Sequence, residues 1–268
     1  MNHRQAYIML VSVMILWTSG IVVAKTIGDT ISVLEFSLWR WVFAAAFLFP
    51  FSFRGLNKSR CQIRKKKWKI FLLGVFLAGG SSLLVWSVQK TSVMNAALLS
   101  ATQPIVTVGL FWILLSQKLR KIQLGGIFIA SLGVIFIVTR VDVTVLLELS
   151  FNKGDLFVVS AVFFYSLYTI YLNRWLPEFP PTTTMFLTAI GAILALVPIV
   201  MMMDDLTFAP FDSAVVKALI YMAIVPTAVA TTMWNVAVGI VGPNKGSAFI
   251  NLMPVLGGIA SILIFNEP

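Results

Sequence analysis

The sequence predicts an all-α membrane protein, a polytopic helical bundle of about nine transmembrane helices. Three observations lead there: an apolar composition, a series of apolar stretches of membrane-spanning length, and basic residues that alternate between loops. Of 268 residues, 59% are hydrophobic and 11% charged, and the mean hydropathy is +0.94. Soluble domains carry roughly 25% charge, and a water-soluble fold could not hide this much apolar surface.

A bilayer core about 30 Å thick needs ~20 mostly apolar residues per helix. Stretches of that kind, bounded by charge or by Pro/Gly breaks, lie at 5–24, 33–53, 68–88, 93–115, 122–139, 155–175, 182–203, 214–241 and 245–265. Leu, Ile, Val, Phe and Ala occupy every face of them, whereas barrel strands alternate apolar with polar. The first stretch follows His3 and Arg4 as a secretory leader would. No A-x-A cleavage site leading into a polar mature domain follows, so it reads as a retained membrane helix. The single cysteine, Cys61, sits in a basic loop and supports neither a disulfide framework nor a cysteine metal site.

Lys and Arg concentrate in cytoplasmic loops. One alternating set of loops holds Arg4, the cluster from Arg54 to Lys69, Lys118, Arg120, Lys121, Arg174 and Lys245. The other holds only Lys25, Lys90, Arg140, Lys153 and Lys217, together with Asp29, Asp142, Glu148, Asp204, Asp205 and Asp212. This sorting puts the N-terminus in the cytoplasm and the chain in a bacterial cytoplasmic (inner) membrane. The basic loop 54–69 is what topology requires of a short cytoplasmic connection. Anionic lipid is its secondary expected contact, and nucleic acid is not an expected partner.

The chain also repeats itself at an offset of about 150 residues. Pro104 followed by Gln117 matches Pro254 followed by Glu267 at the same spacing. Trp86 corresponds to Trp234, Asn95-Ala96-Ala97 to Lys245-Gly246-Ser247, Pro50 to Pro198, and the stretch from Trp17 to Lys25 to that from Tyr165 to Asn173. The matches keep one order, which gives a first unit at 1–139, a linker at 140–153 and a second unit at 154–268. Five spans per unit, an odd number, insert the second copy upside down. Inverted repeats of this kind let transporters exchange inward-open and outward-open shapes around a midplane site.

The residues that carry a resemblance are "LWTSGIVVAK", "LEFSLWRW", "NAALLSATQPIVTVGLFWILLSQ" followed by "QLGG", "GDLFVVSAVFFYSLYTIYLNR" and "GSAFINLMPVLGGIASILIFNEP". With them, nearly the whole chain resembles the drug/metabolite transporter superfamily and, within it, the EamA-like permeases. The resemblance implies a secondary transporter built of two inverted five-helix repeats, with spans one, three, four, six, eight and nine around the central pathway. Gln117 stands where an acidic residue usually closes the fourth helix, and Glu267 keeps it in the second copy. The sequence stops at Pro268 where the family pattern continues into a tenth helix. The expectation is therefore a chain truncated before that helix, whose exposed flank would favour self-association as a homodimer.

Polar groups inside a bilayer are costly, so they face protein or a water-filled cavity. The expected cavity lining is Trp17 and Thr18 in span one, Ser82 and Trp86 in span three, and Asn95, Thr102 and Gln103 in span four. Tyr165 and Tyr168 in span six, Thr231, Trp234 and Asn235 in span eight, and Ser247 and Asn251 in span nine complete it. The alternative for each is helix-to-helix glue, at about 0.6 kcal/mol per contact, or, for the aromatics, interfacial anchoring. Pro104 and Pro254 remove backbone hydrogen bonds and are expected to kink their helices. Gly74 with Ala78 and Gly126 with Ala130 read as close packing, and Lys25 and Lys90 as snorkelling anchors.

Arg40 is the one fixed charge well inside a span, with Glu35 about one and a half turns nearer the outer surface. It is either a contact for an anionic group or a structural charge neutralised by Glu35 and backbone carbonyls. No Asp or Glu lies mid-span and the lone histidine, His3, is in the tail. That argues for facilitated movement or exchange over tight proton coupling. No G-x-x-x-x-G-K-[ST] loop points to ATP, and no cluster of acid-base or metal-ligating groups points to an enzyme. No cofactor or metal is implied. The expected partners are a small polar solute, such as an amino acid, and the lipid bilayer. A channel or lipid-translocating protein is the competing class.

Overall fold

The computed structural model describes residues 2–27, 31–88, 90, 99–116, 125–126, 128–129, 132–133, 153–202 and 212–265. Asn95, Gln117, Glu267, the linker and most of the expected fifth span lie outside the described residues. Among the described residues every regular element is helical. This is what lipid demands, because a helix satisfies its backbone N–H and C=O groups within one segment. The elements are α1 (His3–Ile27), α2 (Val33–Lys58), α3 (Arg60–Lys65), α4 (Lys67–Val88), α5 (Gln103–Leu115), α6 (Lys153–Trp175) and α7 (Pro181–Met201). They continue with α8 (Ser213–Met222), a π-helical stretch (Ala223–Ala230), α9 (Thr231–Val241), α10 (Pro243–Ala248), a 3-10 turn (Phe249–Asn251) and α11 (Leu252–Phe265). Six of the helical runs are long and apolar enough to cross a membrane: His3–Ala24, Val33–Lys58, Lys67–Ser87, Lys153–Leu172, Pro181–Met201 and Ser213–Val241.

Three expected spans are less regular than the sequence reading had them. The eighth leaves the α-helical repeat over Ala223–Ala230, around Pro226. Proline has no N–H to donate and its ring crowds the carbonyl four residues back, so the helix widens there. In the fourth, helix α5 begins only at Gln103, after a turn at Ala101 and Thr102, so Pro104 occupies a first turn and does not kink a continuous helix. A first turn suits proline, since its missing N–H would be unpaired there anyway. In the ninth, the 3-10 turn Phe249–Asn251 separates α10 from α11, and Pro254 again sits in the first turn after the break. Both prolines therefore sit in the first turn after an interruption of the α-helical repeat.

Apolar side chains gain little by leaving lipid for protein, so close backbone approach and hydrogen bonds hold the bundle. Helix α4 packs on α6 and α7, α7 also packs on α2, and α1 packs on α9 and the π-helical stretch. Gly74 is placed directly on Gly191, where a Cβ would overlap the backbone of Gly191 and Ala192. Ala130, the expected packing partner of Gly126, lies outside the described residues. Antiparallel pairing of α4 with α6 is fixed by Gly80 against the Tyr165 ring and Trp86 stacked on Phe157 at 5.3 Å. At one end of the bundle, Ser52 Oγ donates to Thr182 O at 3.0 Å, and Lys66 both donates to Trp175 O and pairs with Glu178. The basic loop after α2 and the loop after α6, assigned to one side by their charges, thus lie together. After α9 the chain turns at Gly242, whose φ of +87° suits glycine, and Pro243 opens α10.

Candidate functional site

Five of the expected lining residues, Trp17, Tyr168, Thr231, Trp234 and Asn235, come together in one belt between α1, α6 and α9. Trp17 on α1 stacks obliquely on Trp234 of α9, with ring centroids 5.1 Å apart. The Trp17 indole Nε1 donates to Pro226 O at 3.1 Å, and Thr231 Oγ donates to the same carbonyl at 3.3 Å. That carbonyl belongs to the π-helical stretch Ala223–Ala230. Asn235, next to Trp234, accepts from Tyr168 OH through Oδ1 at 3.0 Å, and its Nδ2 lies 4.0 Å from Met185 Sδ. Tyr165 stands one turn before Tyr168 on α6. The belt is closed in this structure, with Trp234 and Tyr168 each only 2% exposed.

Arg40 of α2 reaches the α4–α6 side of this belt. Its Nη2 donates to Ser81 Oγ at 2.8 Å, and its guanidinium lies 5.5 Å from the Trp41 ring centroid. Glu35 does not pair with it. Five helical residues separate the two, which is ~7.5 Å along the axis and ~140° around it, so they face different neighbours. No carboxylate among the described residues is bonded to Arg40, so of the two alternatives the sequence left open, neutralisation by Glu35 is not seen.

Other expected residues are placed less directly. Thr18, Ser82 and Asn251 are buried, and Thr18 Oγ, Ser82 Oγ and both amide atoms of Asn251 have no hydrogen-bond partner. Gln103 is buried at the start of α5, and Ser247 is buried in α10 with its Oγ donating to Asn244 O. Thr102 spends its hydroxyl on Leu99 O at 2.6 Å. Trp86 is 36% exposed and stacks on Phe157.

Sequence reasoning missed Ser81, Pro226 and Met185, which hold Arg40, Trp17 and Asn235. It also missed two hydroxyl pairs between elements, Thr107 Oγ to Ser166 Oγ at 3.0 Å and Tyr221 OH to Ser19 Oγ at 2.7 Å. A proline in mid-span was the one signal that could have pointed to the 226 carbonyl. The others are common residues whose partners depend on how the helices cross. No group of three His, Cys, Asp or Glu side chains comes together among the described residues to hold a metal ion.

A closed belt of aromatic and amide groups buried among membrane-length helices suits solute passage, and comparison with known proteins gives the family. The model of the EamA-like transporter family matches residues 4–139 and again 152–268. The chain belongs to the EamA-like transporter family. It is accordingly an integral membrane protein of the drug/metabolite transporter superfamily, with the general permease role of that family. An "Uncharacterized transporter YyaM" of Bacillus subtilis (strain 168) is 28% identical over 98% of this EamA-like chain and 87% of its own length. A "Probable amino-acid metabolite efflux pump" of Salmonella typhimurium (strain LT2) is 23% identical over 64% of this chain and 59% of its own. A solved structure described only as "Crystal structure of protein" matches with a TM-score of 0.74 at 13% identity, covering 99% of this chain and 90% of that one. At such identity it speaks for the fold alone.

Proposed function

We infer that this EamA-like transporter moves small polar metabolites, amino acids or related compounds, across the bacterial cytoplasmic membrane by alternating access. In this reading residues 1–139 and 154–268 form inverted halves that rock about a midplane site, with the N-terminus in the cytoplasm. The observation that carries the reading is the belt of Trp17, Tyr168, Thr231, Trp234 and Asn235. It is assembled from both proposed halves, lies inside the helical bundle and is closed. Buried polar groups without partners are expensive unless something else satisfies them part of the time. Thr18, Ser82 and Asn251 are such groups, and a polar solute admitted by an opening motion would supply what they lack. The breaks before Pro104 and Pro254, 150 residues apart in sequence, support two related halves. The printed name of the Salmonella relative supports amino acids as the first solutes to try.

The test is movement of radiolabelled amino acids and nucleosides into or out of vesicles holding the purified, folded protein. Accumulation or counterflow of any of them supports the reading. No movement of any solute, with scrambling of a labelled lipid instead, would replace it with lipid translocation. Reporter fusions at the N-terminus and after residue 139 test the inverted arrangement, which requires them on opposite sides of the membrane.

A further inference from the structure

Arg40 is the one basic side chain that is more than nine-tenths buried among the described residues, at 6% exposure. It lies about 10 Å along α2 from the start of that helix, well inside the apolar run. A buried guanidinium is ordinarily matched by a carboxylate, and breaking such a pair is costly because it leaves an uncompensated charge. Here the partners are neutral: the Ser81 hydroxyl and the Trp41 ring. Its Nε has no partner, and neither has Ser37 Oγ, one turn back on the same face of α2. The buried carboxylates are out of position. Glu35 points to another face, and Asp155 precedes Tyr165 by ten residues, ~15 Å along α6. The site therefore holds one positive charge, a spare N–H and a spare hydroxyl, with no built-in counter-ion among the described residues.

We propose that Arg40, with Ser81 and Ser37, is the seat for a carboxylate of the transported solute, so that this protein takes monocarboxylates, amino acids included, in preference to their uncharged or esterified forms. The proposal rests on the transport reading for the word "transported" and stands on the geometry for the binding itself. The chemistry fits a single carboxylate best. The planar guanidinium fork matches two oxygens held in one plane. One buried positive charge balances a monoanion, whereas a phosphate dianion would leave a net negative charge in the bilayer. Filling the seat would remove the uncompensated charge at the same moment that the solute loses its water, which ties occupancy to closure of the belt around it.

The experiment is thermal unfolding of the purified protein with matched ligand pairs at constant ionic strength: leucine against leucinamide, phenylalanine against phenylalaninamide, benzoate against benzamide, with inorganic phosphate alongside. The benzoate pair removes the amino group from the comparison. The expected result is that at least one carboxylate raises the unfolding temperature where its amide does not, and that phosphate does not. Arg40→Gln should weaken that carboxylate about tenfold or more, and Arg40→Lys should keep part of its binding. Equal shifts for carboxylate and amide, no shift with any carboxylate, or a preference for phosphate would overturn the proposal. So would an Arg40→Gln protein that folds and keeps the wild-type preference. The wild-type comparison decides the matter even if that variant does not fold, and Ser81→Ala then tests the seat with the charge in place. The binding carboxylate is finally offered to vesicles: binding without movement would sink the transport reading and leave the seat standing.

Discussion

Gly74 of α4 and Gly191 of α7 touch backbone to backbone, and a Cβ on Gly74 would occupy the space of the Gly191 main chain. Where apolar burial gives helices little reason to associate, such an approach lets dispersion forces act at short range. Gly74→Val should therefore separate α4 from α7, with the ~1–3 kcal/mol cost typical of overpacking or more, because the obstacle is backbone and not a flexible side chain. Gly126→Ala, at a position with open space, is the control. Yield of monodisperse protein and its unfolding temperature in detergent check the pair.

Trp17 bridges α1 to the π-helical stretch through its indole N–H. Trp17→Phe keeps a ring against Trp234 and loses only the bond to Pro226 O, for a stability cost of about 1 kcal/mol. Transport should fall further than stability if the widened helix is a moving part. Initial uptake rates normalised to folded protein, beside the unfolding temperature, separate the two effects.

Tyr168→Phe deprives the buried Asn235 Oδ1 of its donor and should cost ~1–3 kcal/mol. Asn235→Leu made in that background should cost less than it does alone, since the orphaned amide disappears with it. Unfolding of the two single variants and the double variant gives the coupling directly.

Gln103→Ala and Asn251→Ala should lower transport more than expression. Asn251 leaves both amide atoms unpaired, which a purely adhesive side chain has no reason to do. Uptake rate against membrane abundance is the measurement, and equal loss of both would assign these residues to packing.

Glu178 lies in the loop after α6, outside the membrane-spanning runs. Partial burial alone would raise its carboxyl pKa, but the hydrogen bond from Lys66, its own backbone N–H and the charges of Lys66 and Lys69 outweigh that and leave it below its ordinary value. A carboxyl depressed in the folded state adds stability above its unfolded pKa, here near 4.5, and loses that contribution as pH falls through the folded value. Wild-type protein should thus lose a small increment of unfolding temperature below that pH, and Glu178→Gln should not. The pair is half-exposed, so the increment is at the low end for ion pairs. Thermal scans in acidic buffers check it.

The apolar runs and the polar residues embedded in them were legible because length and hydropathy are properties of one segment at a time. The reading located Trp17, Tyr168, Trp234, Asn235 and Arg40 without knowing that the first four form a chain of contacts and the fifth has no carboxylate beside it. It also drew single helices through Thr102 and Asn251, where the backbone breaks before a proline.

From the sequence alone came a membrane-embedded helical protein, the family it resembles, and a short set of polar side chains that lipid would not tolerate on an outer face. Only the tertiary structure decided which of those side chains meet, that Gly191 receives Gly74, and that Pro226 offers its carbonyl to Trp17. The physical reason is that helices apolar on every side carry no stripe to mark their inner face. Rotation and crossing are set by pairwise fit between segments far apart in the chain, and that information belongs to no single stretch of sequence.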